Sequence, residues 1–185
     1  KMSKSEGNYF TVRDLAQVYS YMVLRFFILT AHYSMPINFS EDLLDAAENS
    51  WDRITTCADN LRFAICKGTN ISPAETAAAA AQEAIATAKA DFIEAMDDDL
   101  NTADAISSIF ELVRALNTAI AEQDVPAGVL QEGLDMLTEL LEVLGLELPE
   151  AESIPQAVKD LLKARTEAKT ARDFARADEL REAIR

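Results

Sequence analysis

Apolar residues recur at intervals of three and four positions along most of this 185-residue chain, and this period constrains the fold more than any other feature. An α-helix has that period, whereas a half-buried strand alternates polar and apolar residues at every second position. The longest stripe consists of Leu43, Leu44, Ala47, Trp51, Ile54, Ala58, Leu61 and Ile65. The pattern predicts an all-α fold with Trp51 in its core, since no segment of the sequence alternates as a strand would.

Capping signals divide the pattern into separate helices. Thr11 followed by Asp14 predicts a capping box and a short helix to about Val18. A second apolar helix is expected over residues 21–30, with a loop over residues 31–39. Later helix starts are marked by N-cap residues or initiating prolines, which are Ser40, Ser72 with Pro73, Asn101, Pro126, Ser153 and Thr170. Two helix ends are marked by glycines, Gly68 and Gly145.

The order and the apolar faces of these helices predict a bundle preceded by a short helical connector. The connector is expected to span residues 1–39, the bundle 40–152 and a C-terminal helical pair 153–185, with the proline-containing acidic stretch 147–153 as a linker. A hinge before Ser40 is a second candidate boundary. Inward faces of the middle helices are expected to consist of Ile85, Phe92, Met96, Ile106, Ile109, Phe110, Val113, Leu116, Leu130, Leu134, Leu137 and Leu141.

The cysteines and the single histidine indicate whether the chain binds a metal ion and in which cellular compartment it works. Cys57 and Cys66 lie nine residues apart on one predicted helix. This places them on opposite faces, roughly 13 Å apart along the axis and beyond disulfide reach, so free thiols are expected. His32 has no neighbours at metal-ligand spacing, and no metal site is expected in this chain. Without a signal segment or an apolar run of about 18 residues, a cytoplasmic protein without a membrane partner is expected.

The first five residues, Lys-Met-Ser-Lys-Ser, are followed by Gly7 and Asn8. This resembles the signature loop of class I aminoacyl-tRNA synthetases, which activate amino acids with ATP. Negative charge builds on the phosphates during that reaction, so ammonium groups on a mobile loop stabilise the transition state, and serine hydroxyls add donors. The resemblance implies that Lys4 is a catalytic residue and that Lys1, Ser3 and Lys4 bind ATP.

Three further blocks are similar to cysteinyl-tRNA synthetases in particular. They are HYSMPINFS over residues 32–40, MDDDLNTADAI over 96–106 and RDFARADELR over 172–181. The resemblance implies a bundle of the anticodon-binding type found in class I synthetases, and a connector that contacts the tRNA stem. Two positions depart from the family pattern. Glu6 places a carboxylate beside the loop, and Ser34 stands where the family commonly has arginine, which puts any tRNA contact of that arginine in doubt.

Candidate tRNA contacts follow from the resemblance and from the basic side chains. They are Arg25, His32, Lys163, Arg165, Lys169, Arg172 and Arg176. Each candidate also has a structural alternative. For Arg25 it is a buried ion pair with Asp14 or another carboxylate, and for His32 it is a loop histidine whose hydrogen bonds are made within the protein. For the C-terminal series it is a surface of ion pairs. The aspartates at 97–99 are interpreted as complementing the positive end of the next helix rather than as a metal or acid–base site.

The net charge of −15 is unevenly divided: −1 over residues 1–67, −16 over 68–152 and +2 over 153–185. The acidic middle is interpreted as a solvated face, which leaves phosphate contacts to local basic residues elsewhere.

The resemblance also implies what a longer parent enzyme would do. It would form cysteinyl-adenylate from cysteine and ATP with Mg²⁺, esterify the tRNA for cysteine, and hold zinc in a catalytic part that this chain lacks. One histidine cannot supply the family's second, histidine-rich signature, so the chain is expected to be inactive by itself and the parent monomeric. Two alternatives remain: a paralogous ligase that joins cysteine to an aminosugar, and a non-catalytic helical RNA-binding module.

Overall fold

The computed structural model describes residues 11–67, 75–122 and 125–150, together with residues 161 and 176. Within these segments the ordered elements are helices, so the predicted all-α fold is confirmed. The helices are α1 (Val12–Leu15), α2 (Tyr21–Leu29), α3 (Glu41–Lys67), α4 (Glu75–Asp97), α5 (Thr102–Glu122) and α6 (Ala127–Val143). The predicted signals at Gly68, Ser72, Pro73, Ser153 and Thr170 lie outside the described residues.

Local side-chain caps start the helices of the connector and the first long helix. The capping box is confirmed, because Asp14 N donates to Thr11 Oγ1 at 3.2 Å and Thr11 N donates to the Asp14 carboxylate at 3.0 Å. The helix that it starts ends at Leu15, earlier than predicted. At the start of α3, Ser40 Oγ accepts from Leu43 N at 3.3 Å, as predicted.

The turn between α4 and α5 has an unusual backbone. Asp99 and Leu100 have φ angles of 54° and 55°, in the left-handed region that residues other than glycine seldom adopt. Asn101 then caps α5, since its side-chain oxygen accepts from Asp104 N at 3.2 Å. The predicted start at Asn101 is confirmed, while the left-handed turn ahead of it was not predicted.

The connector and the bundle share one apolar core. Phe26 of α2 is 1% exposed, and its ring centre lies 6.1 Å from that of Trp51 and 6.3 Å from that of Phe110. Trp51 is therefore a core residue, as predicted. The predicted inward residues of α4, α5 and α6 are buried or half-buried. In the predicted apolar stripe of α3, Leu43 is an exception and is 42% exposed. Its neighbour Leu44 is rotated about 100° around the helix and takes the buried position instead.

The chain divides into two compact units, Lys1–Pro149 and Glu150–Arg185. The first unit contains the six helices named above. In the second unit the structure describes Glu150, Leu161 and Arg176. The domain bounds predicted at 39/40 and 152/153 stay predictions.

The two cysteines are free thiols, as predicted, and the expected burial holds for Cys57 but is wrong for Cys66. Cys57 is buried in α3, and its desolvation raises the pKa of the thiol to about 11, whereas Cys66 is exposed. We expect iodoacetamide at about pH 8 to alkylate Cys66 quickly and Cys57 only after unfolding, because the thiolate is the reactive species. Peptide mass mapping measures both sites, and equal labelling of both thiols in the native chain would contradict this placement.

Gly145 ends α6 with a φ of 66°, as the sequence predicted for a left-handed stop. A side chain at this position would be strained, and its Cβ would meet Nη1 of Arg25. We expect Gly145→Ala to lower the free energy of unfolding by about 1–2 kcal/mol.

Gly128 provides the matched control, because it lies in α6 with nothing within 4 Å of an added Cβ. Gly128→Ala should be neutral or stabilising by up to about 1 kcal/mol, since alanine favours helix more than glycine does. Urea unfolding of the two variants makes the comparison, and equal effects would remove the special role of Gly145.

Candidate nucleic-acid interface

The structure describes only some of the candidate site residues. The loop residues Lys1, Ser3 and Lys4 lie outside the described segments, as does Glu6. The same holds for four members of the C-terminal basic series, which are Lys163, Lys169, Arg165 and Arg172. Arg176 is exposed and helical, in the second compact unit. For Arg25 and His32 the structure gives both the side chain and its contacts.

Arg25 joins the connector to the end of α6. Its side chain is exposed on α2, and Nη1 donates a hydrogen bond to the carbonyl oxygen of Gly145. The cation thus lies at the C-terminal end of a helix, where the helix dipole favours positive charge. The predicted alternative of a buried ion pair with Asp14 is wrong: Arg25 is exposed, its described partner is a carbonyl group, and the Asp14 carboxylate caps α1.

His32 lies in the loop after α2 and is held by its own neighbours. Its Nδ1 accepts from the backbone N–H of Ser34 at 3.3 Å and lies 2.7 Å from Ser34 Oγ. With Nδ1 as acceptor, the neutral ring carries its proton on Nε2, which lies 4.0 Å from Oδ2 of Asp99. The ring also stacks on Tyr33, with centres 4.7 Å apart. Ser34, the departure from the family pattern, therefore orients this histidine.

Tyr33 links the same loop to the turn between α4 and α5. Its hydroxyl donates to Oδ1 of Asp99 at 2.9 Å across 66 positions of sequence. This hydrogen bond raises the pKa of the Tyr33 hydroxyl, because it stabilises the protonated form next to a carboxylate. The interpretation of the aspartates at 97–99 as complements of a helix end is incomplete, since Asn101 caps α5 and Asp99 bonds Tyr33.

A groove of about 640 Å³ with two arginines in its lining runs between α3 and α5. Its rim carries Arg53, which lies 5.2 Å from the ring centre of Phe110, and Arg114, which pairs with Glu111 at 2.7 Å. Sequence reasoning missed both arginines because each stands alone in an acidic stretch. The signal that could have identified Arg114 is its rarity, as one of two basic residues in 68–152.

An apolar groove of about 500 Å³ lies on the connector instead. It is lined by α1, α2 and the loop, and four of its side chains are strongly exposed, namely Val12, Tyr21, Ile28 and Ile37. Arg25 also lines this groove and is the one charged residue among the described residues of its lining. In the part of the chain that the structure describes, no three acidic, histidine or cysteine side chains converge as a metal site would require. No described helix combines the length and hydrophobicity that crossing a membrane requires.

Comparisons with known proteins agree with the sequence blocks. The family model for the tRNA synthetases class I (C) catalytic domain matches residues 1–49, and the model for the DALR domain matches residues 91–149. A cysteine--tRNA ligase from Brevibacillus brevis is 42% identical over 185 residues, which is 100% of this chain and 39% of the relative. The ligase from Caldicellulosiruptor saccharolyticus is 43% identical over 188 residues, with the same shares. The chain thus spans about two fifths of the length of these curated relatives.

Proposed function

The chain is homologous along its whole length to cysteine--tRNA ligases, and we propose that it works as part of an enzyme that joins cysteine to its tRNA. The observation that carries this proposal is the order of the two family matches on one chain. A catalytic-domain match at residues 1–49 is followed by a DALR match at 91–149, and the identity to the ligases runs through both.

The proposed reaction has two steps. A carboxylate oxygen of cysteine attacks the α-phosphorus of ATP, and pyrophosphate leaves. A hydroxyl of the terminal ribose of tRNA then attacks the adenylate carbonyl, and AMP leaves. In the first step the ammonium group of Lys4 stabilises charge on the departing pyrophosphate, with Lys1 and Ser3 as further contacts to ATP. Magnesium bound to ATP would neutralise phosphate charge.

The basic side chains at both ends of the chain are proposed to contact tRNA. The surplus of acidic residues in 68–152 makes that stretch repel phosphates, so contacts fall to Arg25, His32 and the basic series near the C-terminus. Arg25 supports this role, because it is exposed and uses Nη1 for Gly145 while a guanidinium has five N–H donors. His32 adds a ring edge that faces Asp99 and is half-buried, so its proposed RNA contact is a minor one.

Further parts of the proposal rest on the family alone. Zinc is proposed for the catalytic part of the parent enzyme, as the resemblance to the family implies. A cytoplasmic, monomeric enzyme is proposed with cysteine, ATP and tRNA as its partners.

The molecule that accepts the activated cysteine distinguishes this function from its alternatives. A paralogous ligase that joins cysteine to an aminosugar needs no anticodon-binding bundle, and the DALR match at 91–149 therefore favours tRNA. A helical module that only binds RNA needs no lysine loop at residues 1–5.

The test uses the full-length polypeptide that contains this chain. Cysteine-dependent exchange of pyrophosphate into ATP is measured first, and the adenylate is then offered tRNA or an aminosugar. We expect exchange and transfer to tRNA. Transfer to the sugar would identify the paralogous ligase, and no exchange would favour the RNA-binding module.

A further inference from the structure

Two sequence blocks that are far apart in the chain meet in the structure. The loop after α2 contributes Tyr33 and His32, and the turn between α4 and α5 contributes Asp99. Tyr33 and His32 lie inside the segment matched by the catalytic-domain model, whereas Asp99 lies inside the DALR match. The contact therefore joins the two matched segments of the protein directly.

The backbone that presents Asp99 is strained. Asp99 and Leu100 occupy the left-handed region one after the other, which is costly for residues with a Cβ and more so for leucine than for aspartate. Leu100 does not recover this cost by burial, because the residue is 57% exposed. Such a conformation persists where surrounding contacts fix it, and here backbone hydrogen bonds from Leu100 N to Met96 O at 3.2 Å and from Asn101 N to Ala95 O at 3.0 Å hold the turn. The turn presents the Asp99 carboxylate to the Tyr33 hydroxyl.

The contact is poorly suited to a role in stability alone. The side chain of Asp99 is 72% exposed and Tyr33 is 67% exposed, so water competes for the hydrogen bond. It is also poorly suited to bind a phosphate group, because Asp97 and Asp98 stand beside Asp99 and add negative charge. What the contact does provide is a defined distance between the loop and the turn.

We propose that Tyr33 and Asp99, with the His32 ring stacked on Tyr33, form a brace that holds the loop after α2 against the turn between α4 and α5, and that both are positioning residues for transfer of the activated amino acid to tRNA. This inference rests on the proposed function. A tRNA bound to the connector beside this loop is placed by the position of the loop, and a small displacement at its reactive end slows transfer strongly. Adenylate formation involves only cysteine and ATP, so it does not depend on the brace.

Single and double variants of the full-length enzyme test the brace. Tyr33→Phe removes the donor, Asp99→Asn removes the charge of the acceptor, and Asp98→Asn is the matched control at the next position. We expect Tyr33→Phe to lower kcat/KM for tRNA in aminoacylation about fivefold, the effect of one hydrogen bond, and Asp99→Asn to lower it by a smaller factor, because the amide oxygen still accepts. Pyrophosphate exchange and the melting temperature should stay at wild-type values, and Asp98→Asn should match wild type throughout.

The double variant adds a test of coupling. Because Tyr33→Phe already removes the hydrogen bond that Asp99→Asn weakens, the double variant should lose no more than Tyr33→Phe alone. Losses that multiply, equal losses in exchange and transfer, or wild-type transfer in both single variants would each overturn the brace. If the wild-type enzyme itself transferred no cysteine to tRNA, the proposed function would fail first, and the inference would fall with it.

Discussion

In the full-length enzyme, Lys4→Ala is expected to slow cysteinyl-adenylate formation by about 10²- to 10³-fold, the effect of removing one preorganised group that stabilises transition-state charge. The affinity for tRNA should remain nearly intact, because the proposed role of the loop is on the phosphates of ATP. Pyrophosphate exchange measures the first quantity, and equilibrium binding of tRNA measures the second.

The size of this effect follows from where charge develops. As pyrophosphate departs, its oxygens gain negative charge, and an ammonium group placed there binds the transition state more tightly than it binds ATP. Lys67→Ala is the matched control, because Lys67 is an exposed lysine at the end of α3, away from the loop sequence. Equal losses of exchange and of tRNA affinity in Lys4→Ala would reject the role assigned to Lys4.

The largest effect on stability is expected for Phe26→Ala. Phe26 is 1% exposed and packs between α3 and α5 through Trp51 and Phe110. Truncating a buried phenylalanine removes its burial and leaves a cavity, which lowers the free energy of unfolding by about 3–5 kcal/mol. Urea unfolding of the 185-residue chain can be followed by tryptophan fluorescence, because Trp51 is the single tryptophan and lies in this cluster.

The same helix supplies a control for Phe26→Ala. Ile28 lies two residues further along α2 and is 60% exposed. Ile28→Ala should change the free energy of unfolding by no more than about 0.5 kcal/mol, since exposed positions contribute little. If the two variants were equally stable, the packing of the connector onto the bundle through Phe26 would be wrong.

The sequence could predict the helices because the causes are local. The capping box at Thr11 and Asp14 involves residues three positions apart, and so does the cap of α5 at Asn101. Hydrophobic periodicity placed the buried faces for a similar reason, since an apolar stripe on a helix must be covered by another element. The error at Leu43 marks a limit of this reasoning, because periodicity alone did not choose between adjacent leucines.

The sequence by itself determined the helical fold class, the caps, the apolar faces and the resemblance that led to the ligases. Tertiary structure alone decided which distant residues meet. Arg25 bonds a carbonyl 120 positions away, and Tyr33 bonds Asp99 across 66 positions. Helix periodicity and caps depend on interactions within about four residues, whereas these contacts depend on how whole helices pack against one another. No short-range pattern records that packing, which is why the brace appears only in three dimensions.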